Sequence, residues 1–182
     1  MLQPIRVLTP SNIEAITVDF HQELTSIGRS IAGLTGLQLL VAIKRFRIGH
    51  GPYPDVTLFE AANRIMSDLV ILHGVGRLMR ERTFPFEEYT VEFGNENRNG
   101  FDIWAQSGPS TLAGEAFNVA PSFFQSKKRT SLKKLREKAA GATYRLIMFN
   151  EDAPPTGYVA RGEDGIQQIA VHIPVPEFRI LV

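Results

Sequence analysis

The sequence predicts an α/β protein with a mixed central sheet. Apolar residues recur at helical spacing through the N-terminal half, whereas residues 89–119 alternate with the period of strands. Short turns between these strands predict a three-strand antiparallel meander. A crossover helix before a fourth strand favours parallel pairing of the third and fourth strands. The predicted fold is therefore this mixed sheet preceded by N-terminal helices.

The N-terminal half contains two predicted helices. Pro10, Ser11 and Asn12 are typical of a helix start, and apolar residues at helical spacing extend the first helix from 13 to 31. Residues 37–48 are compatible with a strand or a short helix, and 49–54 form a loop. The second helix begins after Asp55 or Thr57 and runs to about Arg82.

The C-terminal half contains the predicted strands. We expect strands at 89–93, 101–105 and 112–119, separated by turns at 95–100 and 107–110. Pro121 opens a helix that runs to about residue 140, where Gly141 ends it. A fourth strand is predicted at 144–150 and a last one at 166–173, followed by a proline-broken tail.

Composition excludes several classes of protein. The chain has 182 residues, no cysteine and a formal net charge of +1. The absence of cysteine excludes disulfides and cysteine-ligated metals. The small net charge excludes a strong overall positive potential that would attract nucleic acid. No run approaches the ~20 apolar residues of a membrane helix. We expect a soluble, cytoplasmic protein without a membrane partner. It is expected to form a single domain, with a helical extension at 1–54, a core at 55–150 and a C-terminal strand and tail at 151–182.

Two acidic residues lie inside predicted strands. Asp102 belongs to FDIWA and Glu115 to LAGEAFNV, and one turn joins the two segments. Adjacent antiparallel strands can bring such carboxylates side by side, and paired oxygen ligands suit Mg²⁺ or Mn²⁺. The alternative is that both acids lie on the solvated face of a half-exposed sheet.

The order of motifs adds a resemblance. Leu58, Phe59 and Glu60 open the long helix, Phe101–Asp102 stands in the second strand and Gly114–Glu115 in the third. Over about residues 57–150 this order resembles the PD-(D/E)xK nuclease superfamily, which has the restriction-endonuclease-like fold.

The resemblance implies a metal-dependent endonuclease that hydrolyses phosphodiester bonds in DNA and works as a homodimer. It implies Asp102, Glu115 and Glu60 as catalytic residues, and Mg²⁺, which Mn²⁺ can replace, bound by Asp102, Glu115 and the main-chain carbonyl of Ala116. A glutamate in a first helical turn also complements the helix dipole, which is the alternative for Glu60. Asp68, two turns further along, is a second candidate on the same helix.

The chain departs from the family where a lysine is expected. Two residues after Glu115 stands Phe117, and side chains two apart share a face of a strand. The resemblance allows a lysine from the following helix, where Lys127 and Lys128 are the candidates. Lys128 shares its helix face with apolar residues that should pack on the sheet, so we predict Lys128 as the catalytic cation. A lysine stem extending from the edge of that face is the alternative.

The same helix is strongly basic. Residues 126–138 hold seven basic residues and one acid, a pattern that can bind phosphates. We predict nucleic-acid contacts from Lys127, Lys128, Arg129, Lys133 and Lys134; a solvated helix face is the alternative.

Two other functions are also compatible with the sequence. The first is a non-catalytic nucleic-acid-binding or assembly protein on a degenerate nuclease fold, which Phe117 favours. The second is an unrelated α/β protein whose acids lie on the surface. The four histidines are scattered without metal-ligand spacing, as is typical of ordinary surface or core histidines: His21, His50, His73 and His172.

Overall fold

The fold is built from four α-helices and a six-stranded mixed sheet within the part of the chain that the computed structural model describes, residues 5–94 and 100–174. The predicted α/β class is therefore confirmed. In chain order the elements are β1 (Ile5–Leu8), α1 (Ile13–Leu24), a 3₁₀ turn (Arg29–Ile31), α2 (Gly36–Arg45), α3 (Leu58–Glu81), β2 (Tyr89–Glu92), β3 (Ile103–Ser107), β4 (Ser110–Phe117), α4 (Pro121–Lys138), β5 (Tyr144–Asn150) and β6 (Ile166–Val171).

The strands lie side by side in the order in which they occur along the chain. β1 to β4 pair antiparallel, and β4, β5 and β6 pair parallel. β3 and β4 are joined by two residues, and Gly108 (φ +55°) adopts the left-handed conformation of that tight turn. Because parallel strands need a crossover, α4 lies on the sheet between β4 and β5.

The two faces of the sheet bury different helices. On one face α3 contributes Leu69, Val70 and Leu72 to a core that includes Val91 and Ile103 from the sheet. On the other face the helix α4 packs an apolar stripe onto β4 and β5. That second core contains Phe117, Phe124, Leu132, Leu135 and Phe149, all at most 3% exposed. Burying a side chain of this size contributes roughly 1.5–3 kcal/mol.

Several element boundaries differ from the sequence prediction. The first helix ends at Leu24 rather than near residue 31, because Gly28 at φ +92° interrupts it. The ambiguous segment 37–48 is mainly helical, as α2. The edge strand β1 was not predicted, since four residues carry too little alternation to identify a strand. The strand predicted at 101–105 begins two residues later, at Ile103, so Asp102 directly precedes it. Most of the predicted turn at 95–100 and of the C-terminal tail lie outside the described residues.

Candidate active site

Three acidic residues occupy neighbouring positions on β2, on β4 and directly before β3. Val91 pairs with Ile103, and Ile103 pairs with Gly114. Moving one residue along each antiparallel pair places Glu92 opposite Asp102. The same step places Asp102 opposite Glu115. The Glu92 N–H donates to the Asp102 carbonyl at 3.0 Å. Residues directly opposite one another share a face of the sheet. The register therefore forms one row of carboxylates, in which Glu115 contacts α4 through Lys134.

Two of the three acidic residues of the row are buried, and Asp102 is partly exposed. Glu92 and Glu115 are 4% and 5% exposed. Burial first, and the negative charge of Asp102 second, raise the pKa of Glu115 to about 7. Burial also raises the pKa of Asp102, against the lowering effect of the Ala116 N–H, which donates to Asp102 Oδ2 at 2.8 Å. Ionising these groups together is thus unfavourable unless a positive charge accompanies them.

A further buried carboxylate belongs to α3, and its charge interacts with that of Asp102. Asp68 is 1% exposed and accepts hydrogen bonds from the Tyr53 hydroxyl and, at 3.0 Å, from the Gly94 N–H. Burial is the main cause that raises the pKa of Asp68 to about 7, and the charge of Asp102 adds to it. Gly94 has φ +80°, and a Cβ there would lie 3.1 Å from the Tyr53 ring, so this close approach requires glycine.

Glu60 is directed elsewhere. Its side chain is 48% exposed and pairs with Arg64 at 2.6 Å, one turn along the same helix. The Glu60 N–H donates to the Thr57 hydroxyl that caps α3. The structure thus places Glu60 in a helix-start role, and Asp68 is the α3 carboxylate that lies beside Asp102.

Lys134 supplies the cation of the row. Its Nζ lies 2.7 Å from Glu115 Oε1, and its side chain is 20% exposed. The positive charges of Lys134 and Lys127 both lower the pKa values of Asp102 and Glu115. Lys127 and Lys134 are seven residues apart and hence on one side of α4.

Lys128 does not take the position that the sequence predicts for it. Its Nζ lies 3.1 Å from Glu163 Oε2 and 5.4 Å from the centre of the Tyr158 ring. Phe124, one turn earlier on α4, also packs on Tyr158, with 4.9 Å between the ring centres. This part of the helix therefore lies beside the segment that leads to β6, and Lys128 extends away from the carboxylates.

Phe117 faces α4, as expected from its spacing to Glu115. It is 1% exposed and packs on Phe124 and Phe149, with ring centres 6.0 and 5.9 Å apart. An ammonium group at this position would lie in an apolar cluster. The strand position thus serves the core, and the lysine beside Glu115 comes from the helix.

The basic residues of α4 point in three directions. Lys127 and Lys134 act on the carboxylate row, whereas Lys128 and Arg136 pair with Glu163. Arg129 and Lys133 are exposed, and Lys133 lies 3.8 Å from Glu137 in a weak surface pair. Of the five predicted phosphate contacts, Lys128 and Lys134 thus already have buried or partly buried carboxylate partners.

Sequence reasoning missed Glu92 and gave Lys134 a different role. Glu92 occupies a polar position in an alternating strand, which has the same pattern whether solvent or a helix covers that face. The spacing of seven residues from Lys127 is the signal that relates Lys134 to the same helix side.

Asp102 and Glu115 are the two carboxylates of the row that a small hard cation could share. Among residues 5–94 and 100–174, no three histidine, cysteine, aspartate or glutamate side chains are grouped so that they could hold a metal ion. A cation here would take two carboxylates, from Asp102 and Glu115, with its other positions filled by a main-chain oxygen and water. Mg²⁺ commonly keeps several waters beside one or two carboxylates.

Comparison with family models, with curated proteins and with solved structures gave no match. In the part of the chain that is described, no helix has the length and apolar character needed to cross a bilayer.

Proposed function

We propose that this protein is a metal-dependent nuclease that hydrolyses phosphodiester bonds in DNA. The observation that carries the proposal is the arrangement of Asp102, Glu115 and Lys134. Two carboxylates with raised pKa values adjoin across β3 and β4, and an ammonium group lies 2.7 Å from one of them. Carboxylates shifted by burial and by a like charge are frequent at catalytic sites.

The order of elements around the site supports the same proposal. β2, β3 and β4 form an antiparallel meander, α4 crosses over, and β5 returns parallel to β4. This is the order of the core of the restriction-endonuclease-like fold that the sequence resembles. Asp102 then directly precedes the second strand of that core and Glu115 lies on the third, close to the positions that the resemblance implies.

Asp102, Glu115 and the carbonyl of Ala116 would hold Mg²⁺, which Mn²⁺ can replace. When bound, the cation supplies Lewis-acid polarisation of the phosphate and a lowered pKa for a bound water. The raised pKa values of the two carboxyl groups fit this role, because a nearby positive charge favours their ionised form.

The chain's own residues perform the remaining tasks. Lys134, held by Glu115, places a positive charge where a phosphate oxygen gains negative charge in the transition state. Lys127 is exposed and acts on the same row, so it can approach a substrate phosphate. Arg129 and Lys133 face solvent on α4 and contribute backbone contacts that do not depend on base sequence. A homodimer would bring one such site to each strand of a duplex.

The test is a cleavage assay on double-stranded DNA, single-stranded DNA and RNA with Mg²⁺ or Mn²⁺. We expect metal-dependent cleavage of DNA that is abolished by EDTA and by Asp102→Asn. The matched control is Asp152→Asn, an exposed aspartate outside the row, which should cut at the wild-type rate. Equal cleavage by both variants would remove the basis of the proposal.

A second candidate is a non-catalytic nucleic-acid-binding protein on the same fold. The observation that favours it is the burial of Phe117 in an aromatic cluster, at the strand position where the family has its lysine. This candidate predicts no cleavage with either metal, together with DNA binding that persists in EDTA and weakens with salt.

A further inference from the structure

Two histidines that are 52 residues apart in the sequence meet between α1 and α3. His21 on α1 and His73 on α3 approach with 3.3 Å between their Nε2 atoms. Their ring centres are 5.5 Å apart and the rings are inclined at 61°. Both are partly buried, and both line a cavity of about 770 Å³. The pair lies outside the carboxylate row and has no part in the proposed nuclease chemistry.

The separation of the two nitrogens matches that of two ligands on one tetrahedral ion. Zinc–imidazole bonds of about 2.0–2.1 Å at a tetrahedral angle place the two nitrogens about 3.3–3.4 Å apart. The usual range for an N–H donor and its acceptor is about 2.7–3.2 Å, so the observed 3.3 Å is long for a hydrogen bond.

The surroundings leave room for the remaining ligands. The cavity is partly open to solvent, and the carboxylate of Glu14 and the guanidinium of Arg80 both line it. Glu14 precedes His21 by seven residues and therefore lies on the same side of α1. Water can complete a four-coordinate shell in which the two histidines are the protein ligands.

We propose that His21 and His73 bind a divalent transition-metal ion, with Zn²⁺ as the best match, through their Nε2 atoms. The ion would connect α1 to α3 across the cavity, and so join the N-terminal helix to the central helix of the core. Imidazole is a common ligand for zinc, whereas the carboxylate row is suited to a harder ion. The two sites therefore differ in the metal that they select.

The experiment is calorimetric titration of the full chain with Zn²⁺, in the wild type and in His21→Gln and His73→Gln. The matched control is His50→Gln, since His50 is exposed on the loop that precedes α3. We expect the tightest equivalent of Zn²⁺ to weaken by more than about tenfold in the first two variants and to persist in the control. Any additional, weaker binding of Zn²⁺ to the carboxylate row should be the same in the wild type and in the three variants. If all four proteins bind alike, or if the wild type binds no Zn²⁺, the proposal is wrong.

A second measurement needs no variant at the pair. In proton NMR spectra of the wild type, one equivalent of Zn²⁺ should shift the ring signals of two histidines. The signals of His50, assigned from His50→Gln, should stay in place. Unshifted ring signals for His21 and His73 would show that the two rings only share a hydrogen bond.

Discussion

Asp68→Asn should stabilise the metal-free protein at neutral and alkaline pH. The buried Asp68 carboxyl has its pKa raised from the ordinary 3.8 to about 7. The folded state therefore holds a proton that the unfolded state releases, and folding stability falls as pH rises from about 4 to about 7. Each pKa unit corresponds to about 1.36 kcal/mol, so the roughly three-unit shift costs up to about 4 kcal/mol above pH 7. Asparagine never ionises and is not subject to this loss.

The substitution keeps the local contacts. The side-chain oxygen of asparagine can still accept from the Gly94 N–H, and its amide can donate to the Tyr53 oxygen, where Asp68 now accepts from both groups. The gain should thus reflect the charge alone.

The assay is urea unfolding in EDTA, followed by circular dichroism at several pH values between 4 and 8. The variant and the wild type should be about equally stable near pH 4 and diverge as pH rises, with the variant ahead by up to about 4 kcal/mol at pH 8. The exposed Asp152→Asn serves as control and should follow the wild type. A variant that is less stable at pH 8, or a gap that does not change with pH, would refute the reasoning.

Three further predictions follow from the geometry of α4 and its core. Lys134→Ala should slow single-turnover DNA cleavage about 10²–10³-fold, because it removes a charge-stabilising donor, whereas Lys128→Ala should cut near the wild-type rate; equal losses would contradict the assignment. Replacing both Arg129 and Lys133 with Gln should weaken DNA binding alike across sequences and flatten the salt slope by about two units at most, measured by fluorescence anisotropy. An unchanged slope would mean that this helix face is only solvated. Phe124→Ala should reduce the free energy of unfolding by about 3–5 kcal/mol, measured with urea, since the ring is fully buried between the sheet and α4.

The local elements follow from patterns that the sequence carries by itself. The strand at Tyr144–Asn150 has the predicted bounds, and α4 begins at Pro121 as predicted. Period and turn residues act over a few positions, so they can be recognised without knowledge of the rest of the chain. The same short range explains the proximity of Asp102 and Glu115, because one tight turn joins their strands.

Contacts between distant segments could not be predicted in this way. The positions of Lys128 and Lys134 around the helix axis follow from 3.6 residues per turn, but the sequence does not show which side of α4 faces β3 and which faces β6. That depends on the direction in which the helix crosses the strands, which is decided when Phe124 packs against Phe149 and Tyr158.

Burial and long-range pairing were likewise decided by the tertiary structure. Glu92 has the same alternation whether its face is solvated or covered, and only the packed structure makes it a buried member of the carboxylate row. His21 and His73 have no common motif, and they meet because α1 packs on α3. The sequence by itself thus determined the helices, the strands and the local acidic pair. The lysine beside Glu115, the third acid of the row and the histidine pair depended on how those elements pack, because packing joins side chains that no local period relates.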